Sequence, residues 1–142
     1  MNNKKPHLLI AGGTGFIGSF LAKEAIKRSW NVTSLSLTKP KKNRKVNNVK
    51  YLIGDITKKK IFGNIGDDYN YVVNSSGYTS NLYKKKFKNK IYRSHVIGSL
   101  NLINHFLDKE IDNYIQIGSS AEYGNAPHLQ KESYACKPSN IY

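Results

Sequence analysis

The stretch LLIAGGTGFIGSFL, residues 8–21, joins a short apolar run to a glycine-rich turn and the start of a helical pattern. The apolar run, residues 7–11, is too short for a helix and suits a buried parallel strand. The chain then turns through Gly12, Gly13, Thr14 and Gly15 before the helical pattern begins at Phe16. Gly12, Gly15 and Gly18 spell GxxGxxG, and Gly13, Gly15 and Gly18 also satisfy GxGxxG. In such a turn one glycine bends the chain without a Cβ clash and another lets backbone N–H groups approach a pyrophosphate. Gly18 lets the helix pack closely on the strand. The unpaired N–H groups and the positive end of the helix dipole then hold phosphates. A glycine triplet alone is weak evidence, but strand, turn and amphipathic helix in this order read as a dinucleotide site. The competing reading is a strand-to-helix turn that binds nothing.

Outward from this stretch, strands and helices alternate. A first helix is expected over residues 16–28, with Phe16, Ile17, Phe20, Leu21, Ala25 and Ile26 as its apolar side. Strands are expected over residues 31–37, 49–53, 71–74 and 113–117. A Lys- and Asn-rich loop occupies residues 38–48, and residues 56–65 suit a short helix. A long helix is expected near residues 86–109, with Ile91, Val96, Leu100, Ile103 and Leu107 at helical spacing. Residues 124–140 are polar and punctuated by proline, which reads as loop. Strands alternating with helices imply a doubly wound α/β domain of Rossmann type. Its parallel sheet has order 3-2-1-4-5 and helices on both faces. This fold normally has a sixth strand, which no remaining segment supplies. Residues 1–142 are therefore expected to be a truncated NAD(P)-binding domain, lacking that strand and a substrate domain.

With 142 residues the chain is about one domain. The formal charge of +14 raises the question of nucleic acid or an anionic surface. Lysine, however, supplies 20 of the 23 basic residues, and Asn and Ile are also abundant. That usage follows A/T-rich codons, whereas a dedicated phosphate-backbone binder would draw on arginine as well. No nucleic-acid partner is expected. Cys136 is the single cysteine, so no internal disulfide forms, which suits a reducing cytoplasm. The N-terminal apolar run reaches glycines after five residues, too short for a signal sequence or a membrane span. No metal-ligand set and no membrane partner are expected.

Three further stretches narrow the reading: LIGDIT (residues 52–57), VVNSSGYTS (72–80), and IQIGSSAEYG (115–124) followed by KPSNIY (137–142). Together with the glycine turn these resemble the extended short-chain dehydrogenase/reductase family of sugar-nucleotide epimerases, dehydratases and reductases. The resemblance covers the whole chain but only the N-terminal half of such an enzyme. It implies that Gly12, Gly15, Phe16 and Ile17 line the pyrophosphate and that Asp55 and Ile56 contact the adenine. Asn74, Ser75 and Ser76 would run beside the cofactor. Ser119 matches the catalytic hydroxyl, and Tyr142 the catalytic tyrosine of YxxxK, whose lysine would lie four residues further on. His95 stands where the family often has Asn, in an N-x-x-G-x-x-N pattern completed here by Gly98 and Asn101. It either replaces that Asn's hydrogen bonds or is a plain helix residue. The implied partner is a nucleotide-sugar substrate, and the implied whole protein a homodimer.

The residues suit that chemistry. Hydride exchange at a sugar carbon requires the attached oxygen to gain or lose a proton. A phenol, with a pKa of about 10, needs neighbouring positive charge to serve near neutral pH. A serine hydroxyl bonds and orients the same oxygen. NADP is expected over NAD. NAD-binding folds place an acidic residue after the second strand, whereas this chain has none between Glu24 and Asp55 and offers Lys39, Lys41, Lys42, Arg44 and Lys45 instead. A 4-keto-sugar reductase or epimerase is expected in preference to a 4,6-dehydratase. The dehydratase acid would fall at Ala121; Glu122 lies one position later, facing the opposite side if the segment stays extended, and is recruited only by a register change in the turn. The alternatives are a non-catalytic NADP-sensing module and the dehydratase. The 142-residue chain by itself is expected to be inactive.

Overall fold

The computed structural model describes residues 4–79, 84–125 and 129–139. Five parallel strands, β1 (His7–Ala11), β2 (Asn31–Ser36), β3 (Val49–Ile53), β4 (Tyr71–Asn74) and β5 (Asn113–Gln116), form one sheet in the order β3-β2-β1-β4-β5. Alternation along β1 divides the core. Leu8 and Ile10 point to one face and pack with Ala22, Ala25, Val32 and Val73. Leu9 and Ala11 point to the other, with Leu35, Ile56, Val72, Leu102 and Phe106. Helices cover both faces, α1 (Phe16–Lys27) on the first and α3 (Gly98–Phe106) on the second. Both faces of β1 are therefore dry, which is why its apolar run does not alternate with polar residues.

Strand boundaries follow the sequence reading within one residue, but the helix faces follow it only in part. Ala25 and Ile91 are buried and Leu21 and Ile26 pack against the core as expected, while the rest of each expected face does not. In α1 the buried residues are Gly18, Ser19, Ala22 and Ala25, while Phe16, Ile17 and Phe20 are exposed. Close packing of helix on strand selects the small side chains and pushes the large ones outward. The long helix is composite: α2 (Lys88–Tyr92), a π-helical turn at Arg93–Ile97, then α3. It buries Ile91, Gly98, Ser99, Leu102 and Phe106, whereas Val96, Leu100, Ile103 and Leu107 face out. The helix carries two apolar stripes, and the one containing Gly98 and Ser99 approaches the sheet most closely. The short helix expected near residues 56–65 is a 3-10 segment at Lys59–Asn64. Among the described residues no helix is long and apolar enough to cross a membrane.

Candidate functional site

The carboxyl ends of β1 to β4 open onto a cleft of about 270 Å³. Its walls are Gly12, Thr14 and Gly15 on the glycine turn, residues 35–38 and 54–57 after β2 and β3, residues 75–78 after β4, and Lys90 and Ser94 across from them. Gly12 has φ +83°, and a Cβ there would lie 2.8 Å from the backbone of Ser75 and Ser76. A side chain at Gly18 would collide with the Gly12 carbonyl and lie 2.6 Å from the Gly13 Cα. The turn is closed by the Gly15 N–H donating to the Gly12 carbonyl at 2.9 Å. It is also seated on β2, where the Thr14 N–H donates to Ser36 Oγ at 3.1 Å. Gly15 caps α1 with extended backbone and no side-chain bond, and the first helical turn contains no acidic residue. The positive end of α1 thus carries neither a capping side chain nor an acidic neighbour in its first turn.

Beyond β3, Asp55 Oδ1 accepts the Thr57 N–H at 2.9 Å, so the carboxylate shapes the turn while standing in the cleft wall. The buried Ile56 side chain packs toward Gly98, where a Cβ would lie 2.8 Å from Ile56 Cδ1. The Ile56 carbonyl accepts from Asn101 Nδ2 at 3.0 Å. Ile56 therefore gives its side chain to the core and only part of itself to the wall. Asn74 is fully buried and lines neither this cleft nor the next. Its amide donates to Ser99 Oγ at 3.0 Å and Gln116 Oε1 at 2.9 Å. Its Oδ1 accepts the Ser76 N–H at 3.1 Å and the Ser76 hydroxyl at 2.5 Å. The side chain expected beside the cofactor is instead spent on tying β4 to β5 and α3. Ser75 bonds the Ala11 carbonyl through its hydroxyl at 3.0 Å and remains in the wall with Ser76.

Two side chains expected near the cofactor lie outside this cleft wall. Lys39 is exposed and outside the wall, which ends at Thr38 because β2 stops at Ser36 and the chain leaves over the surface. The Phe16 ring is 66% exposed and turned away, with the Arg44 guanidinium 5.9 Å from its centroid.

A second cleft of about 570 Å³ adjoins the first through Ser75, Ser76 and Gly77. It contains Ile17, His95, residues 116–119, Ala121 and Glu122. Ser119 caps a 3-10 turn, Ser120–Tyr123, its Oγ accepting the Ala121 N–H at 3.2 Å. A hydroxyl has one proton to donate and two lone pairs, so this bond leaves the proton available to a ligand. The segment is a 3-10 turn and not extended, so the alternation that would set Glu122 opposite Ala121 does not apply, and both residues line the cleft that holds Ser119. An extended segment would have alternated; a tight helical turn does not. Tyr142 lies outside the described residues.

His95 Nε2 meets the Tyr78 carbonyl at 3.2 Å, and a side chain on Gly77 would strike the His95 ring. His95 thus anchors the loop after β4 and is more than a helix surface residue. Sequence reading passed over Thr38, Thr57, Tyr78, Lys90 and Ser94. Lys90 stands in a lysine run that carries no motif, and Tyr78 follows a glycine with no pattern of its own. Among the described residues no cluster of His, Cys, Asp and Glu forms a metal site.

Solved structures share this architecture. A UDP-glucose 4-epimerase from Thermotoga maritima with UDP-glucose superposes with TM-score 0.86 at 20% identity, over 96% of this chain and 46% of its own. A UDP-glucose 4-epimerase from Brucella ovis in complex with NAD gives 0.84 at 23% identity, over 96% and 43%. The Bordetella bronchiseptica enzyme WbmG in complex with NAD gives 0.85 at 17% identity, over 99% and 46%. At these identities the likeness is one of fold, and the chain spans under half the length of each. No curated protein matches. The family model described as the NAD dependent epimerase/dehydratase family matches residues 8–142. With nearly the whole chain matched, from the strand before the glycine turn onward, the chain belongs to the NAD dependent epimerase/dehydratase family.

Proposed function

We propose that residues 1–142 form the cofactor-binding half of an NAD(P)-dependent oxidoreductase acting on a nucleotide-linked sugar, a 4-keto-sugar reductase or an epimerase. The observation that carries this reading is the continuity of the two clefts. The glycine turn opens the first, Ser119 stands in the second, and Ser75 to Gly77 belong to both. The glycine turn fits a dinucleotide: Gly12 lets the turn pass directly against the backbone of Ser75 and Ser76, where the two clefts meet, and nothing negative opposes phosphate at the start of α1. When bound, the nicotinamide supplies hydride exchange with a sugar carbon. The backbone N–H groups opening α1 hold its diphosphate. Ser119 donates its hydroxyl proton to the sugar oxygen and orients it. Tyr142 exchanges the proton of that oxygen. The chain spans under half the length of the solved structures it resembles, and turnover is proposed for the whole protein, not for the 142 residues alone.

NADP is the preferred cofactor in this reading. The wall after β2 is Ser36, Leu37 and Thr38, and no carboxylate there repels a ribose phosphate. Glu122 beside Ser119 favours one alternative, a 4,6-dehydratase in which that carboxyl serves the elimination. Cys136 is exposed and unpaired, which supports a reducing, cytoplasmic setting. The outward stripe of Tyr92, Val96, Leu100 and Leu107 supports a homodimer of the whole protein.

Two assays test these readings. Titration with NADPH and NADH should give tighter NADPH; equal affinities or tighter NADH count against the preference. A nucleoside-diphosphate hexose supplied without added cofactor should yield no 4-keto-6-deoxy product. If it does, and Glu122→Gln abolishes the product, the dehydratase reading replaces this one.

A further inference from the structure

We infer that Lys90 is a cofactor-phosphate ligand, an ammonium held over the Tyr78 ring at the mouth of the dinucleotide cleft. The inference rests on the reading of that cleft as the dinucleotide site and names the cation within it. Among the described residues lining the cleft, Lys90 is the single cation and Asp55 the single acid. One oxygen of Asp55 is occupied by the Thr57 N–H. The basic residues that follow β2 stand elsewhere. Lys39 is off the wall, and Arg44 and Lys45 line a separate depression beside Phe16, Phe20 and Lys23.

The position of Lys90 is built rather than incidental. Its Nζ lies 4.1 Å from the centroid of the Tyr78 ring. Tyr78 is fixed at both ends of its backbone, its N–H donating to Ser94 Oγ at 3.1 Å and its carbonyl meeting His95 Nε2 at 3.2 Å. Ser94 in turn donates to the Ile91 carbonyl at 3.0 Å. Two consecutive residues of the π-helical turn thus reach the same loop residue, a use of a helical bulge seen at functional sites. The Tyr78 ring also rests on Phe87, with centroids 5.6 Å apart. Among the described residues no carboxylate forms an ion pair with Lys90.

A cation seated on an aromatic face is restrained but weakly held, and a phosphate oxygen outcompetes the ring for it. Because the seat already limits the lysine's rotamers, binding costs less ordering than for a free surface lysine. The ligand chemistry is a phosphate anion of the dinucleotide, either the diphosphate or a ribose 2′-phosphate.

The experiment titrates NADH and NADPH into the wild-type protein, Lys90→Gln and Lys90→Arg. Lys90→Gln should weaken at least one dinucleotide about tenfold or more, and Lys90→Arg should retain most of the affinity. Equal weakening of both assigns the diphosphate, and weakening of NADPH alone assigns the 2′-phosphate. Lys90 is exposed, so both variants should keep the wild-type melting temperature. Unchanged affinity of Lys90→Gln for both dinucleotides overturns the inference. Failure of the wild-type protein to bind either overturns the underlying reading of the cleft.

Discussion

Asn101 Nδ2 donates to the backbone carbonyl of Ile56 at 3.0 Å, fastening the middle of α3 to the turn that leaves β3. The two residues are 45 positions apart, and the bond holds one wall of the cleft at the carboxyl ends of β1 to β4. Asn101→Leu removes the donor and leaves a partly buried carbonyl without it. The expected cost is about 1–3 kcal/mol of stability, measured by urea denaturation. Dinucleotide affinity should fall as well, because Asp55 and Thr57 flank the freed carbonyl.

Gly12→Ala should be more damaging than its size suggests. The backbone at φ +83° disfavours any Cβ, and the neighbouring atoms at 2.8 Å belong to the main chain of Ser75 and Ser76, which cannot rotate aside. A loss of about 2 kcal/mol or more is expected. Gly66→Ala is the matched control, since a Cβ there meets nothing within 4 Å. It should lie within about 0.5 kcal/mol of wild type. Thermal melting of the two variants side by side checks the pair.

Asn74→Asp tests the hub between β4, β5 and α3. The amide that donates to Ser99 and Gln116 becomes a carboxylate facing the Gln116 Oε1 acceptor at the end of β5. One carboxylate oxygen keeps the Ser76 N–H and hydroxyl as donors, but the other replaces a donor where Gln116 Oε1 accepts. A buried charge only half satisfied in this way destabilises by several kcal/mol, of order 3–5. Because protonation restores a donor, the variant should recover stability on acidification while wild type does not. Parallel denaturation curves at neutral and mildly acidic pH read this directly.

Acid sensitivity of the wild-type fold should come first from two histidines. Burial pushes His7 and His105 below the ordinary value of 6.5. His105 lies between Phe62 and Phe106, with its Nε2 buried and unbonded. Both rings therefore stay neutral in the folded state at a pH where the unfolded chain already binds protons. Their contribution is fully present above 6.5 and is lost as pH falls through the lower folded values. Melting temperature should decline below that point, and His105→Phe should flatten part of the decline. An unchanged pH profile in His105→Phe would remove His105 from this account.

The outward stripe on the long helix gives a prediction about assembly. Leu100 is 49% exposed and Val96 38%, on the side of the helix that faces away from the sheet. If the whole protein pairs through this stripe, Leu100→Asp should convert it to a monomer in sedimentation with the fold intact. A dimer that survives both Leu100→Asp and Val96→Asp would place the interface elsewhere.

The order of strands and the glycine turn were legible in the sequence because both depend on local rules. A short apolar run, a glycine where φ must be positive, and alternation of strand with helix each leave a mark within a few residues. The resemblance at residues 115–124 likewise marked Ser119. Which face of each helix is buried left no such mark. Phe16, Ile17 and Phe20, and Val96, Leu100 and Ile103, are as apolar as the stripes that do pack, and only contact with the sheet selects Gly18, Ala22, Gly98 and Leu102 instead. Small residues win there because close approach of helix to strand excludes more water than a large side chain held at a distance. The cleft walls were hidden for the same reason. Asn74 turns inward because three separate elements bring Ser99, Gln116 and Ser76 within reach, and Glu122 joins Ser119 because the backbone coils at residues 120–123. Lys90, one lysine among twenty, acquires its position only from a ring twelve residues earlier in the chain. Hydrogen bonds and ring contacts across such separations belong to the tertiary structure, where chain topology rather than residue type decides who meets whom.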